Sequence, residues 1–222
     1  PERGLTETDH PSARALVERS QTALTSAGSL GFDTDDFSII SRCLELQADH
    51  DAIELILGPY TSDGWDELRW KAASIFAVML LIDREDRRRG LDHRSHPKAA
   101  TRMFQLLGHL AILWSIPARK KAWAEGRSDI DPAALPPDDV IQAYNDEVVA
   151  PVFRDAALLS AAANAPEVVS ELGDPTDFIA DIELALVEGA DKPDGFRTAG
   201  AKEWVALYPI NEKAMQALGH RE

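Results

Sequence analysis

Apolar residues recur at three- and four-residue spacing along most of the 222-residue chain, and no stretch alternates in the two-residue rhythm of a strand flanked by hairpin turns. The pattern predicts a mainly α fold, a helical bundle-like core over 1–125 followed by a helical extension over 126–222. A first helix is expected from 11 to 27, stopped by Gly28 and Gly31. The acidic run in FDTDDFS offers capping carboxylates to a second, from 36 to 57, which Gly58 and Pro59 end. Along it Leu44, Ala48, Ile53 and Leu57 are expected to face the core. Asp63 or Asp66 caps a third helix that runs to Gly90. Pro97 opens a fourth, in the first-turn position that suits proline, and that helix reaches Ile116 and Pro117. The segment 125–139, EGRSDIDPAALPPDD, is rich in turn formers and charge and reads as a linker or long loop. Beyond it the helical rhythm returns over 138–149, 151–164, 176–189 and 199–218.

Charge narrows the range of partners. Lys+Arg 23 against Asp+Glu 38 gives a net charge of −15, a field that repels nucleic acid and anionic membrane surfaces alike. The longest apolar stretch, AASIFAVMLLI from Ala72 to Ile82, is about half the roughly 20 residues a membrane-crossing helix needs, so it reads as a buried helix. The single Cys43 excludes an intrachain disulfide framework and a cysteine-based zinc site. A soluble, cytoplasmic protein with no nucleic-acid or membrane partner is expected. Trp65, Trp70, Trp114, Trp123 and Trp204 are spread over the helices and are expected to anchor the core.

The candidate chemistry lies in residues 43–57, CLELQADHDAIELIL, a core-facing helix that nonetheless carries Glu45, Asp49, His50, Asp51 and Glu54. Positions four apart share a helix face, so Glu45 and Asp49 project side by side. An isolated pair of this kind reads as a solvated face, where like charges cost a few tenths of a kcal/mol. This pair is followed by a long apolar helix and then by SHPKAATRM, with His96, Pro97 and Arg102. Glu-x-x-x-Asp and His-Pro-x-x-x-x-Arg, in that order, resemble the second half of the gluzincin metallopeptidase core found in the CaaX-prenyl-protease, HtpX-like and phage-exclusion (Lit-type) peptidases. The resemblance covers about residues 36–110.

That resemblance implies hydrolysis of a peptide or protein substrate by zinc-activated water. It makes Glu45 the third protein ligand of the zinc and Asp49 the carboxylate that holds a ligand histidine from behind. It sets His96 near the metal, stabilising the oxyanion of the tetrahedral intermediate, and has Arg102 brace the site through a carboxylate. His50 and Asp51 receive no role from it, and His50 reads as a surface or helix-packing residue.

One part of the family pattern is not in the chain. Such peptidases bind zinc through His-Glu-x-x-His, yet His10, His50, His93, His96, His109 and His220 include no pair four apart. In the families that helix comes shortly before Glu-x-x-x-Asp, which here falls at or before Pro1. A preceding segment is the favoured source; a separate chain, or a degenerate relative without zinc, are the others. The chain as given is therefore expected to bind zinc weakly or not at all, the metal needing ligands from outside it. The competing reading is a non-catalytic acidic helical interaction or regulatory protein.

Four lesser signals have simpler explanations. His93 and His96 lie three apart on a loop without further ligands. Arg88 and His93 share the Arg-x-x-x-x-His spacing of HEPN-type ribonucleases without the polar residue that usually follows the arginine, and DREDRRRG reads as a solvated helix end. DTDDF is similar to the aspartate-rich motif of terpene synthases but suits helix capping. His109, within LLGHLAIL, is expected to be a hydrogen-bonded core histidine.

Overall fold

Helix α1 (Phe37–Leu57) turns Ile40, Cys43, Leu46, Ile53 and Leu57 into the interior. Ala48 faces solvent and Leu44 is half-buried, so the buried stripe is rotated from the expected one; Cys43 and Leu46 take it over as they pack on Leu207. The computed structural model describes residues 37–90 and 96–217. The helix expected over 11–27, the capping run before Phe37, and His93 lie outside the described residues. Helix α2 (Trp65–Arg89) starts from Gly64 rather than from an aspartate cap; Asp66 and Glu67 lie in its first turn, where the helix dipole favours them. It ends at Gly90, whose left-handed φ of 66° is a conformation that glycine adopts without a Cβ penalty.

Helix α3 (Ala99–Ile112) begins two residues after Pro97 and stops short of the expected end. Pro117 has no N–H to give the Leu113 carbonyl, which instead accepts from Ile116 in a tight turn over Leu113–Ser115. The chain restarts as α4 (Ile116–Ala124) with Pro117 in its first turn. The expected linker is a loop with one short turn, Pro132–Ala134, capped by Asp131. Helices α5 (Asp138–Tyr144) and α6 (Ala150–Ala162) are joined by a π-helical turn, Asn145–Val149, that leads into Pro151. Helix α7 (Pro166–Leu172) was not legible in the periodicity, having seven residues of which only Val168 and Leu172 are buried. Helices α8 (Pro175–Glu188) and α9 (Ala199–Ala217) complete the fold. Among the described residues there is no strand, and no helix is long and apolar enough to cross a membrane.

Helix α3 is the hub. It packs against α1, α2, α7, α8 and α9, and its buried positions include Thr101, Arg102 and His109 as well as Met103, Phe104, Leu106, Leu107 and Leu110. One apolar core runs from Ile53 to Val205, so residues before and after 125 share it. Phe104 on α3 gathers the rings of Phe178, Phe196 and Trp204 at centroid distances of 5.7, 6.3 and 5.6 Å, edge-on or tilted as aromatic quadrupoles prefer. Trp65, Trp114 and Trp204 pack on the core, whereas Trp70 and Trp123 are 75% and 77% exposed and do not anchor it.

Acidic side chains set the ends of the two most intimately packed helices. Glu203 on α9 accepts from the Lys98 backbone N–H at the start of α3 (3.1 Å), from the Thr101 hydroxyl, and from Arg42 on α1 (2.8 Å). A carboxylate there satisfies an orphan donor and complements the positive end of α3. Asp181 does the same for α9, accepting from Arg197 N–H (2.9 Å) and from Thr198 N–H (2.8 Å) and hydroxyl (2.7 Å). Between these caps the backbones nearly touch: a Cβ on Gly200 would lie 2.6 Å from the Ala100 carbonyl oxygen.

Two outcomes follow. Gly200→Ala must push α9 off α3 and is expected to lower the unfolding free energy by about 1–3 kcal/mol, read as a shift of the denaturant midpoint. Cys43 is fully buried, donates to the Leu207 carbonyl (3.5 Å), and has its thiol pushed up to about 11 by burial. Its thiolate fraction at neutral pH is about a hundredfold below that of an ordinary thiol. Iodoacetamide labelling of the native protein should therefore track global unfolding and accelerate with denaturant.

Candidate functional site

Helices α1 and α3 lie against one another through polar as well as apolar side chains, and the polar contacts advance together along both. Arg102 is enclosed by the core, its side chain 5% exposed, and a guanidinium so placed needs an anion. Asp49 supplies it in a two-pronged pair: Arg102 Nε donates to Oδ2 at 2.5 Å and Nη2 to Oδ1 at 2.6 Å. The remaining nitrogen, Nη1, has no hydrogen-bond partner among the described residues. Next to this pair Gln105 on α3 donates to the Leu46 carbonyl on α1 at 2.6 Å.

One turn toward the start of α1, Glu45 meets His96. Glu45 Oε2 lies 3.3 Å from His96 Nδ1, with the side chains 40% and 28% exposed. The separation is that of an ion pair, and the alignment falls short of a hydrogen bond. His96 precedes Pro97, whose buried ring turns the chain into Lys98 and α3. The four residues taken from the two motifs thus form two neighbouring pairs, Glu45 on α1 with His96 just before α3 and Asp49 on α1 with Arg102 on α3. Both Asp49 oxygens engage Arg102, so the carboxylate through which Arg102 braces the helices is Asp49 itself. Glu45 is half-exposed rather than turned into the packed interior.

On the other side of the Asp49–Arg102 pair lies a group that sequence reasoning did not join. His50 and Glu54, four apart on α1, approach His109 on α3, and one donor atom from each of the three falls within 4.8 Å of the others. The rings of His50 and His109 meet edge to face, with centroids 5.4 Å apart. His109 is buried as expected, but neither of its ring nitrogens has a hydrogen-bond partner among the described residues. Burial, reinforced by His50 and Lys120 and opposed by Glu54, pulls its imidazole down to about 4, so it is neutral at ordinary pH. The i,i+4 spacing of His50 and Glu54 was visible in the sequence; that His109 would lie beside them was not.

In DREDRRRG only Arg88 and Arg89 form the expected solvated helix end, whereas Asp83 and Asp86 are buried and Arg87 turns back onto Asp83. Arg88 and Arg89 both pair with Glu85 at 2.7 Å, and Arg87 pairs with Asp83 at 2.7 Å. Comparison with protein-family models, curated proteins and solved structures returns no match.

Removing either member of the Asp49–Arg102 pair leaves the other buried and unpaired. Asp49→Leu and Arg102→Met are each expected to cost about 3–5 kcal/mol of stability, whereas the two combined recover most of the loss. Urea denaturation of the four proteins in a double-mutant cycle checks the expected non-additivity.

Proposed function

We propose that this chain carries the glutamate and His-Pro half of a zinc metallopeptidase centre acting on peptide or protein substrates. The observation that supports it is the joint pairing, between α1 and the segment running from His96 into α3, of four side chains drawn from two motifs separated by the whole of α2. Zinc, when bound, supplies a Lewis acid and an activated water. Glu45 contributes one metal ligand from a partly exposed position. His96, beside it and partly exposed, donates a hydrogen bond to the oxyanion that develops on the substrate carbonyl. Asp49 and Arg102 are positioning residues that fix the relative register of α1 and α3. Glu45 and His96 are two donors, and no third metal-binding side chain joins them among the described residues. The remaining imidazole ligands therefore come, in this reading, from outside the described residues. The one unpaired, buried cysteine favours a cytoplasmic setting.

A second reading, a non-catalytic acidic interaction protein, draws support from the exposure of Glu45 and from an apolar groove of about 410 Å³ between α2 and α6. Trp70 and Leu158 line that groove, and Arg69 pairs with Asp155 across it at 2.7 Å.

The two readings separate in an assay of the full-length natural protein on fluorescently labelled casein, with and without a zinc chelator. The peptidase reading expects chelator-sensitive cleavage, a fall in kcat/KM of roughly a thousandfold in Glu45→Gln, and a fall of about 10²–10³ in His96→Gln with metal retained. A wild-type protein that cleaves nothing, or activity indifferent to Glu45→Gln, overturns it in favour of the interaction protein.

A further inference from the structure

The Glu45 pair leaves the other end of the α1–α3 seam unexplained. There His50 and Glu54 rise from α1 and His109 from α3, with one donor atom of each inside 4.8 Å of the other two. We propose that these three side chains form a second site, a two-histidine, one-glutamate cradle for a divalent transition metal of the zinc class, linking α1 to α3 within this chain.

The donor chemistry is the first argument. Two imidazoles and one carboxylate are borderline-soft ligands that suit zinc and its neighbours rather than calcium or magnesium, which take oxygen donors. The second argument is the state of His109. It is 5% exposed, and both ring nitrogens lack a hydrogen-bond partner among the described residues. Buried polar groups are paired in the great majority of cases, and a ligating nitrogen bound to a metal is paired.

Mobility of the remaining ligands is the third argument. Zinc bonds of 2.0–2.1 Å set tetrahedral donors roughly 3.3 Å apart, so the cluster must contract. His109 is fixed by packing, while Glu54 is exposed and His50 half-buried, which lets both swing toward it. Their four-residue spacing keeps them on one face of α1 as they move. Charge on the surrounding helices is divided: Lys120 on α4 faces His109 and opposes a bound cation, and Glu54 offsets it. With Glu54 at the surface the site opens to solvent, and three protein ligands leave a fourth position for water, as in open rather than closed zinc sites.

This inference does not rest on the peptidase reading, and its test is built to be independent of it. The full-length protein carrying Glu45→Gln, which disables the other centre, is freed of metal with a chelator and titrated with zinc chloride by calorimetry and with cobalt chloride by visible absorption. Expected are one equivalent of zinc, a rise in Tm with added zinc, and cobalt absorption bands of a low-symmetry, nitrogen-ligated ion. His50→Gln and Glu54→Gln, both at accessible positions that leave folding intact, should each weaken zinc by at least about tenfold, the size of loss seen even for an outer-shell partner. His109→Leu should remove binding while keeping the apolar packing of α3. No zinc binding in the Glu45→Gln protein, or an affinity unchanged by His50→Gln and Glu54→Gln, overturns the proposal and leaves His109 a packing residue.

Discussion

A guanidinium enclosed by a hydrophobic core is stable only beside an anion, and that requirement organises this protein around Arg102. Helix α3 is surrounded by α1, α2, α7, α8 and α9, so nearly every side chain it carries is removed from water. An apolar residue at position 102 would tolerate several alignments of α1 on α3. Arginine, paired through two nitrogens with Asp49, tolerates one, because a shift of either helix by a single residue would separate the charges. The Gln105 bond to the Leu46 carbonyl repeats the constraint with a neutral donor.

From that alignment the rest of the seam follows. With Asp49 opposite Arg102, Glu45 falls beside His96 at one end and His50 and Glu54 fall beside His109 at the other. The two clusters differ in character. Glu45 and His96 are partly solvated and already paired. His109 is dry and without a hydrogen-bond partner among the described residues, with Glu54 at the surface and His50 half-buried beside it. The polar seam between α1 and the buried α3 thus carries three successive functions of position: a partly exposed acid–imidazole pair, a closed structural ion pair, and a donor cradle facing outward.

The far end of α3 is governed by different forces. Its first turn is held by Glu203 from α9, and α9 in turn is capped by Asp181 from α8, so the C-terminal helices complete the entry to the α1–α3 seam. The near-contact of Gly200 with Ala100 sets how closely α9 approaches. The segment after 125 therefore contributes to the geometry around His96 without supplying any of the site side chains, through Lys98 and Thr101 immediately downstream of it.

Much of this was legible in the chain. Periodicity gave the helical class and the extents of α1, α2 and α9, because long amphipathic stretches carry many buried positions and their ends are marked by glycine or proline. The family resemblance set Glu45, Asp49, His96 and Arg102 around one site, but it did not pair Glu45 with His96 or Asp49 with Arg102. Tertiary packing decided what local pattern could not carry: the rotation of α1 that exposes Ala48 and buries Cys43, the exposure of Trp70 and Trp123, the break before Pro117, and the short helix α7. It also decided the company of His109. His50 and Glu54 share a face by the arithmetic of one helix, but bringing a histidine from another helix to them depends on how α2 returns the chain, and single-helix periodicity holds no information about that return.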